Sequence, residues 1–165
     1  MSAASQGRLP VVCDINLLVD ALVADDAPET WATPPPARGD PSALTIATLN
    51  EGLEFGLWLS PHILDGTRRV LTDIYGFTDP ECEEYERFLR DAARRTGGVL
   101  MPTSRVADCR DWEDDRILEL AVDAGAFLLI SSDADLQELS PWRGIPIIGP
   151  DAFVARVDAA RRQRR

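Results

Sequence analysis

The sequence predicts an α/β fold: one domain with a central, mainly parallel sheet flanked by helices. Short apolar runs such as LPVVC, FGLWL and AFLLI alternate with longer segments of helical periodicity. The length of 165 residues suits a single core, and a hydrophobic content of 45% is ordinary for a globular chain. Strands that alternate with helices favour parallel pairing, with helices covering both faces of the sheet.

The predicted elements follow from these patterns in chain order. Strands are expected at residues 9–13, 55–60, 99–102, 126–130 and 144–149. Helices are expected at residues 15–24, 42–54, 61–75, 81–95, 111–125 and 150–165, and residues 131–139 are expected to form a turn that enters a short helix. Ser42 is the predicted N-cap of the second helix, and Pro61 fits the first turn of the third.

The domain is predicted to span residues 9–158. Residues 24–41 are rich in proline and acid and are expected to form a long loop, either a flap or an insertion. Residues 159–165 are read as an arginine-rich tail that meets RNA phosphates, meets an acidic partner or stays solvated.

Composition excludes several function classes. The net charge of −11 argues against a nonspecific DNA coat, but less against a metal nuclease, whose acids are neutralised by cations. No apolar run approaches the roughly 20 residues of a membrane span, and no secretory signal is evident, so a cytoplasmic protein is expected. The three cysteines form no CxxC pair and are expected to be reduced and partly buried.

Acidic residues recur where predicted strands lead into helices. In a parallel sheet these junctions share one edge, where ligands bind. The acids at four such junctions are Asp14, Asp65, the group Asp111, Asp114 and Asp115, and the pair Asp133 and Asp135. Crowded carboxylates repel one another unless cations are present, and their hard oxygens suit Mg²⁺ or Mn²⁺. Such ions activate water and stabilise charge on a phosphodiester.

Most of these acids also have a structural explanation. Asp111 with Asp114 fits a capping box, and Asp133 fits an N-cap. Asp115 is expected to be a solvated first-turn charge. Asp65 precedes Arg69 by four residues, as in an ordinary surface pair. Asp14 is the exception, because an acid between apolar VVC and INLL answers no comparable capping need.

Three segments resemble the PIN-domain family. VVCDINLLVDAL is similar to its opening, in which a strand runs into Asp-x-Asn and a helix. RDWEDDRILELAVDAGAFLLISSDADL resembles its distal block: an aspartate ahead of an apolar helix, an Ala-Gly-Ala turn, a strand, and Thr/Ser-x-Asp-x-Asp-Leu. RGIPIIGPDAFVARV fits its final strand and helix.

This resemblance implies a metal-dependent ribonuclease, often a VapC-like toxin endoribonuclease of a bacterial toxin–antitoxin pair. RNA, an antitoxin protein and a second copy of the chain are the implied partners. Asp14, Asp114 and Asp133 are the implied catalytic and metal-binding acids, with Asp135 in support. Asn16 and Ser131 match polar positions near that site, and His62 is a candidate for contact with a phosphate.

One position departs from the family pattern. The family has a glutamate in the helix after the second strand, in a pattern like Glu-x-x-x-Val-Leu, and here Gly66 stands in its place. Asp65 lies one residue earlier, which turns its side chain by about 100° around a helix. Asp65, Glu54 and Glu51 are the candidate replacements. An alternative is therefore a catalytically weakened PIN-like module that binds RNA or a protein partner.

Two other enzyme classes fit the sequence less well. Phosphoryl transfer on an aspartate, as in haloacid-dehalogenase-like phosphatases or response-regulator receivers, usually relies on a lysine, and this chain contains none. Dinucleotide binding requires a GxGxxG turn after the first strand, which is absent.

Overall fold

A parallel five-stranded sheet organises the computed structural model, which describes residues 7–24 and 38–165. The strands are β1 (Leu9–Cys13), β2 (Phe55–Leu59), β3 (Gly98–Val99), β4 (Leu128–Ile130) and β5 (Ile147–Ile148). The helices in the described part are α1 (Ile15–Val23), α2 (Pro41–Glu51), α3 (Pro61–Asp73), α4 (Asp79–Thr96), α5 (Trp112–Asp123), α6 (Ala134–Glu138) and α7 (Pro150–Gln163). The predicted α/β class with a parallel sheet is confirmed.

Strand β1 is the centre of the sheet, whose order is β3–β2–β1–β4–β5. Val11 pairs with Leu57 of β2 on one side and with Leu128 of β4 on the other, both in parallel register. The chain builds the β2–β3 side first and then crosses to β4 and β5. The strand order therefore reverses between β1 and β4, and the crevice at such a switch point is where open α/β sheets bind ligands.

Both faces of the sheet are covered by helices that bury an apolar side. Leu17 and Leu18 of α1 and Leu118 of α5 are completely buried. Helix α4 starts with a capping box between Thr78 and Glu81. The hydroxyl of its buried Tyr85 donates a hydrogen bond of 2.6 Å to the carbonyl of Leu18, which joins α4 to α1.

The start of α2 differs from the prediction, which placed the N-cap at Ser42. Asp40 is the N-cap, and its carboxylate accepts hydrogen bonds from the backbone N–H groups of Ser42 and Ala43. Pro41 occupies the first helical position, where a missing N–H costs nothing. The helix ends at Glu51 rather than residue 54, because Gly52 takes a left-handed conformation with φ of 67°. Of the predicted loop at 24–41, residues 25–37 lie outside the described part.

Strands β3, β4 and β5, in the second half of the chain, are shorter than predicted. Strand β3 comprises Gly98 and Val99 only, and residues 100–111 follow without regular structure. Side chains of α5 hold this segment instead. Asp115 is buried and accepts hydrogen bonds from the N–H groups of Asp108 and Cys109, at 3.0 and 2.9 Å. The prediction of a solvated Asp115 is therefore wrong.

Helix α7 extends through most of the segment predicted as a tail. It ends at Gln163, and Arg161 forms hydrogen-bonded ion pairs of 2.7 Å with both Glu51 and Glu54. Arg164 lies 4.0 Å from Glu54. The arginines near the carboxyl terminus therefore include one that is fixed to the domain.

Two further observations concern the described residues. None of their helices combines the length and the apolar character that crossing a bilayer demands. Cys13, Cys82 and Cys109 are all free thiols, and the first two are buried, in agreement with the sequence.

Candidate metal centre

Asp14 lies directly after β1, at the carboxyl edge of the sheet. Its carboxylate caps α1 by accepting a hydrogen bond of 2.8 Å from the N–H of Leu17, so the expectation that Asp14 answers no comparable capping need is wrong. The second oxygen accepts a short hydrogen bond from the hydroxyl of Ser131, which follows β4. Burial raises the pKa of Asp14 to about 6, against the lowering effect of both hydrogen bonds; the charge of Asp133 raises it further.

Asp133 belongs to the loop between β4 and α6. Ser131 connects it to Asp14, because the Ser131 hydroxyl accepts a hydrogen bond of 3.0 Å from the N–H of Asp133 while donating to Asp14. The Asp133 carboxylate caps α6 by accepting from the N–H of Asp135 at 2.8 Å. The same Asp133 side chain can therefore cap α6 and take part in the site.

Asp114 comes from a third element, the first turn of α5. Desolvation raises its pKa to about 7, and the charges of Asp133, Asp111 and Asp14 add to the effect. Two hydrogen bonds stabilise the charge of the more buried Asp14. Asp114 accepts none from the described residues, so its charge is the less compensated of the two.

These acids border a cleft of about 160 Å³, large enough for hydrated cations and a phosphate group. Its walls come from the loop after β1, from α3, from the start of α5 and from the loop after β4. The lining residues are Asp14, Ile15, Asn16, Arg69, Val70, Asp111, Glu113, Asp114, Ile117 and Asp133. The structure thus brings together the three predicted catalytic acids and Asn16.

The candidates Ser131, Asp135, Asp65 and His62 lie outside the lining of the cleft. Ser131 is buried beneath it and contacts Asp14. Asp135 and Asp65 are exposed, on α6 and α3. The expected pair of Asp65 with Arg69 does not form in the described part of the chain, where Arg69 pairs with Glu113 instead.

His62 lies at the start of α3, beside the aromatic ring of Trp112. The two ring centroids are 6.0 Å apart, and the side chain of Trp112 is 62% exposed. Within the described residues the His62 Nε2 is buried without a hydrogen-bond partner. Burial lowers the pKa of His62, so the imidazole is neutral at physiological pH.

The departure at Gly66 has a structural counterpart. A Cβ atom placed on Gly66 would lie 2.4 Å from Cδ1 of Ile15, which fills the space beside the helix. The alternative replacements Glu51 and Glu54 are ruled out by their position, because both bind Arg161 near the amino ends of the strands. None of the three predicted replacements therefore lines the cleft.

Two residues of the cleft were missed by the sequence analysis. Glu113 of α5 and Arg69 of α3 line it and form an ion pair, with 2.6 Å between Arg69 Nη2 and Glu113 Oε1. The acidic first turn of α5 was a signal for Glu113. No sequence feature indicated Arg69, because the direction of its side chain depends on how α3 packs against α5.

A comparison with protein families decides the identity. The family model described as PIN domain matches residues 10–135, which includes β1 through the start of α6 and all three acids of the cleft. The chain belongs to the PIN-domain family. PIN domains are generally nucleases, so the family assigns a nuclease-type fold to this chain. No curated protein matches the chain.

The acids of this PIN domain suit a divalent cation by their chemistry. Carboxylate oxygens are the ligands that Mg²⁺ and Mn²⁺ prefer. Burial, together with the neighbouring carboxylates, raises the pKa values of Asp14 and Asp114, and a bound cation would favour their charged forms. In the described residues, no group of three or more His, Cys, Asp or Glu side chains is close enough together to hold an ion. Ligation of one ion by all three acids at once would therefore require the carboxylates to draw together.

Proposed function

We propose that the protein is a divalent-metal-dependent endoribonuclease of the PIN type, with Asp14, Asp114 and Asp133 as its metal-binding and catalytic acids. The observation that supports this most is their convergence on one cleft from three separate elements at the switch point of the sheet. Mg²⁺ or Mn²⁺ bound there would activate water and stabilise charge during in-line attack on a phosphodiester.

The residues of the cleft would have different roles in metal and RNA binding. Asp14 is the fixed member, because its hydrogen bonds with Leu17 and Ser131 hold both carboxylate oxygens in place. Asp114 and Asp133 would complete the metal site from the start of α5 and from the loop after β4. The exposed amide of Asn16 lines the same cleft and would donate a hydrogen bond to an RNA phosphate.

Cleavage of RNA by variants at the site tests the proposal. We expect the wild type to cleave single-stranded RNA with Mn²⁺ but not with EDTA, and Asp14→Asn or Asp114→Asn to lower the rate about 100-fold or more. Asp158→Asn, an exposed change on α7, is the matched control and should keep the wild-type rate. Circular dichroism of each variant confirms folding. Equal cleavage by all four proteins would show that these acids are not the site.

We extend the proposal to biological role: the protein would act as the toxin of a toxin–antitoxin pair, as its sequence motifs suggest. Induced expression of the wild type in a bacterial host should arrest growth, and Asp14→Asn should relieve the arrest at equal protein level. A short gene upstream that encodes a DNA-binding partner would support the same role. Normal growth on wild-type expression would contradict it.

The environment of Gly66 favours a second candidate, a PIN-like module that binds RNA or a protein without cleaving. The helix position that carries the family glutamate has no side chain, and Ile15 fills its space. This candidate predicts RNA binding by the wild type without cleavage in Mn²⁺ or Mg²⁺. Cleavage that depends on Asp14 and Asp114 would exclude it.

A further inference from the structure

The cleft contains a cation of its own. Among the described residues that line it, five are acidic and Arg69 is the only basic one. Arg69 lies on α3, three residues after Gly66 and thus one helical turn along the same side. Helix α3 therefore presents a cation to the cleft, one turn after the position of the family acid.

The contact between Arg69 and Glu113 is exposed and leaves the guanidinium largely available. It joins one terminal nitrogen to one carboxylate oxygen at 2.6 Å, and the Arg69 side chain is 54% exposed. Arg69 forms no other ion pair in the described part of the chain. Exposed pairs of this kind contribute little to stability, so the fold does not depend on it.

We propose that Arg69 is a phosphate-binding residue of the cleft and that Glu113 competes with RNA for its guanidinium. A planar guanidinium offers two parallel N–H donors to a phosphate, which suits a strand entering a cleft that is otherwise acidic. Asp14, Asp114 and Asp133 would face the metal, while Arg69 takes a phosphate oxygen from the α3 wall. This inference rests on the proposed function for its ligand, a single RNA strand.

The adjacent Arg68 is a matched control. It lies on the same helix, but its guanidinium faces α4, with Asp79 at 3.1 Å and Glu86 at 3.8 Å. Arg68→Ala thus removes the same charge from the same helix without touching the cleft.

The test is the salt dependence of RNA binding by the full chain. Fluorescence anisotropy of a labelled single-stranded oligoribonucleotide is measured over a range of NaCl, with Ca²⁺ in place of Mn²⁺ and a gel to verify intact RNA. Arg69→Ala should weaken binding roughly tenfold. It should also reduce the slope of log K against log salt by about 0.7, the value for one phosphate contact on a single strand. Arg69→Lys should keep the slope, and Arg68→Ala should match the wild type.

A double-mutant cycle tests the role of Glu113. Glu113→Gln should tighten RNA binding more when Arg69 is present than in the Arg69→Ala background. Only a chain that contains both Arg69 and Glu113 must break their ion pair before Arg69 can bind RNA. Equal tightening in both backgrounds would show that Glu113 acts by simple repulsion of RNA and would overturn its role as a competing partner of Arg69.

Failure of this inference is distinguishable from failure of the proposed function. If the wild type binds and cleaves RNA but Arg69→Ala keeps the wild-type slope, Arg69 does not contact phosphate and the pair with Glu113 is structural only. Calorimetric titration with Mn²⁺ in the absence of RNA supplies an independent readout, in which Arg69→Ala should bind the ion at least as tightly as the wild type. A wild type that neither binds RNA nor cleaves it would overturn both proposals.

Discussion

Asp14 serves the fold and the cleft with the same carboxylate. One oxygen caps α1 and the other accepts a hydrogen bond from Ser131, so the two loops of the switch point are tied together by a single side chain. This arrangement keeps a buried acid in a place where desolvation disfavours its charge. The residue thus stabilises the local geometry while carrying an electrostatic cost in the absence of a cation.

The raised pKa of Asp14 predicts how the stability of metal-free protein varies with pH. With a folded pKa of about 6 against an ordinary value of about 4, the folded state keeps a proton that the unfolded state has lost. Stability therefore falls as pH rises from 4 to 7. Between pH 4.5 and 7.5, the free energy of unfolding should fall by about 2 kcal/mol less in Asp14→Asn than in the wild type. Urea unfolding in EDTA at the two pH values measures this difference.

The control for this measurement is Asp158→Asn, which lies on the surface of α7 and should follow the wild type at both pH values. Parallel behaviour of Asp14→Asn and the wild type would show that Asp14 is already ionised at pH 4.5. Asp114, with a pKa of about 7, should account for part of the fall that remains.

The site could be predicted from the sequence where acids adjoin strand ends. Asp14 directly follows β1, and Asp133 comes shortly after β4. Chain order alone therefore places both acids at one edge of a parallel sheet. The pair of Arg69 and Glu113 could not be predicted, because the two residues are 44 positions apart and meet through the packing of two helices. Gly66 was recognised as a departure, but only the structure shows that Ile15 fills its space.

At the scale of elements, helix α5 is the anchor for the irregular segment 100–111. Three of its acids bind backbone N–H groups there: Asp115 at Asp108 and Cys109, Glu119 at Val106, and Asp123 at Thr103. These bonds replace the strand pairing that β3 lacks beyond Val99. Because the same helix carries Asp114, its anchoring also sets the position of one wall of the cleft.

Asp115→Ala should therefore destabilise the protein by about 1–3 kcal/mol, since it leaves two N–H groups without an acceptor. The free energy of unfolding from urea titration measures this. Asp158→Ala, an exposed acid of the same type, should change stability by less than about 0.5 kcal/mol. Equal stability of the two variants would mean that water takes the place of the Asp115 carboxylate.

Element type could be predicted more readily than element limits. The alternation of apolar runs gave the parallel sheet, whereas the start of α2 was decided by competition between neighbouring caps. Asp40 binds two N–H groups and Pro41 favours the first turn, so Ser42 is already inside the helix. Strand β3 is shorter than its apolar run because Leu59, its partner in β2, is followed by the turn into α3.

At the scale of the whole molecule, the two edges of the sheet have different roles. The carboxyl edge holds the acidic cleft. Near the amino edge, Arg161 of α7 binds Glu51 at the end of α2 and Glu54 ahead of β2. The side chain of Glu51 is only 7% exposed there, so this contact closes the fold at the end away from the site.

Arg161→Ala should lower the free energy of unfolding by about 2 kcal/mol, because the largely buried Glu51 loses its counter-charge. Thermal or urea unfolding measures the loss, and Arg162→Ala, an exposed neighbour, should stay close to the wild type. The affinity for Mn²⁺ should be unchanged in both variants, because the two edges are separate. A weaker affinity in Arg161→Ala would show that the edges are coupled.

The contact between Gly66 and Ile15 makes these two positions an interdependent pair. A side chain introduced at Gly66 alone meets Cδ1 of Ile15 at 2.4 Å, and trimming Ile15 alone leaves a cavity against α3. An acid can therefore return to α3 only if the end of the Ile15 side chain moves away or is shortened. The side chain that position 66 can carry thus depends on the conformation of Ile15, a residue that itself lines the cleft.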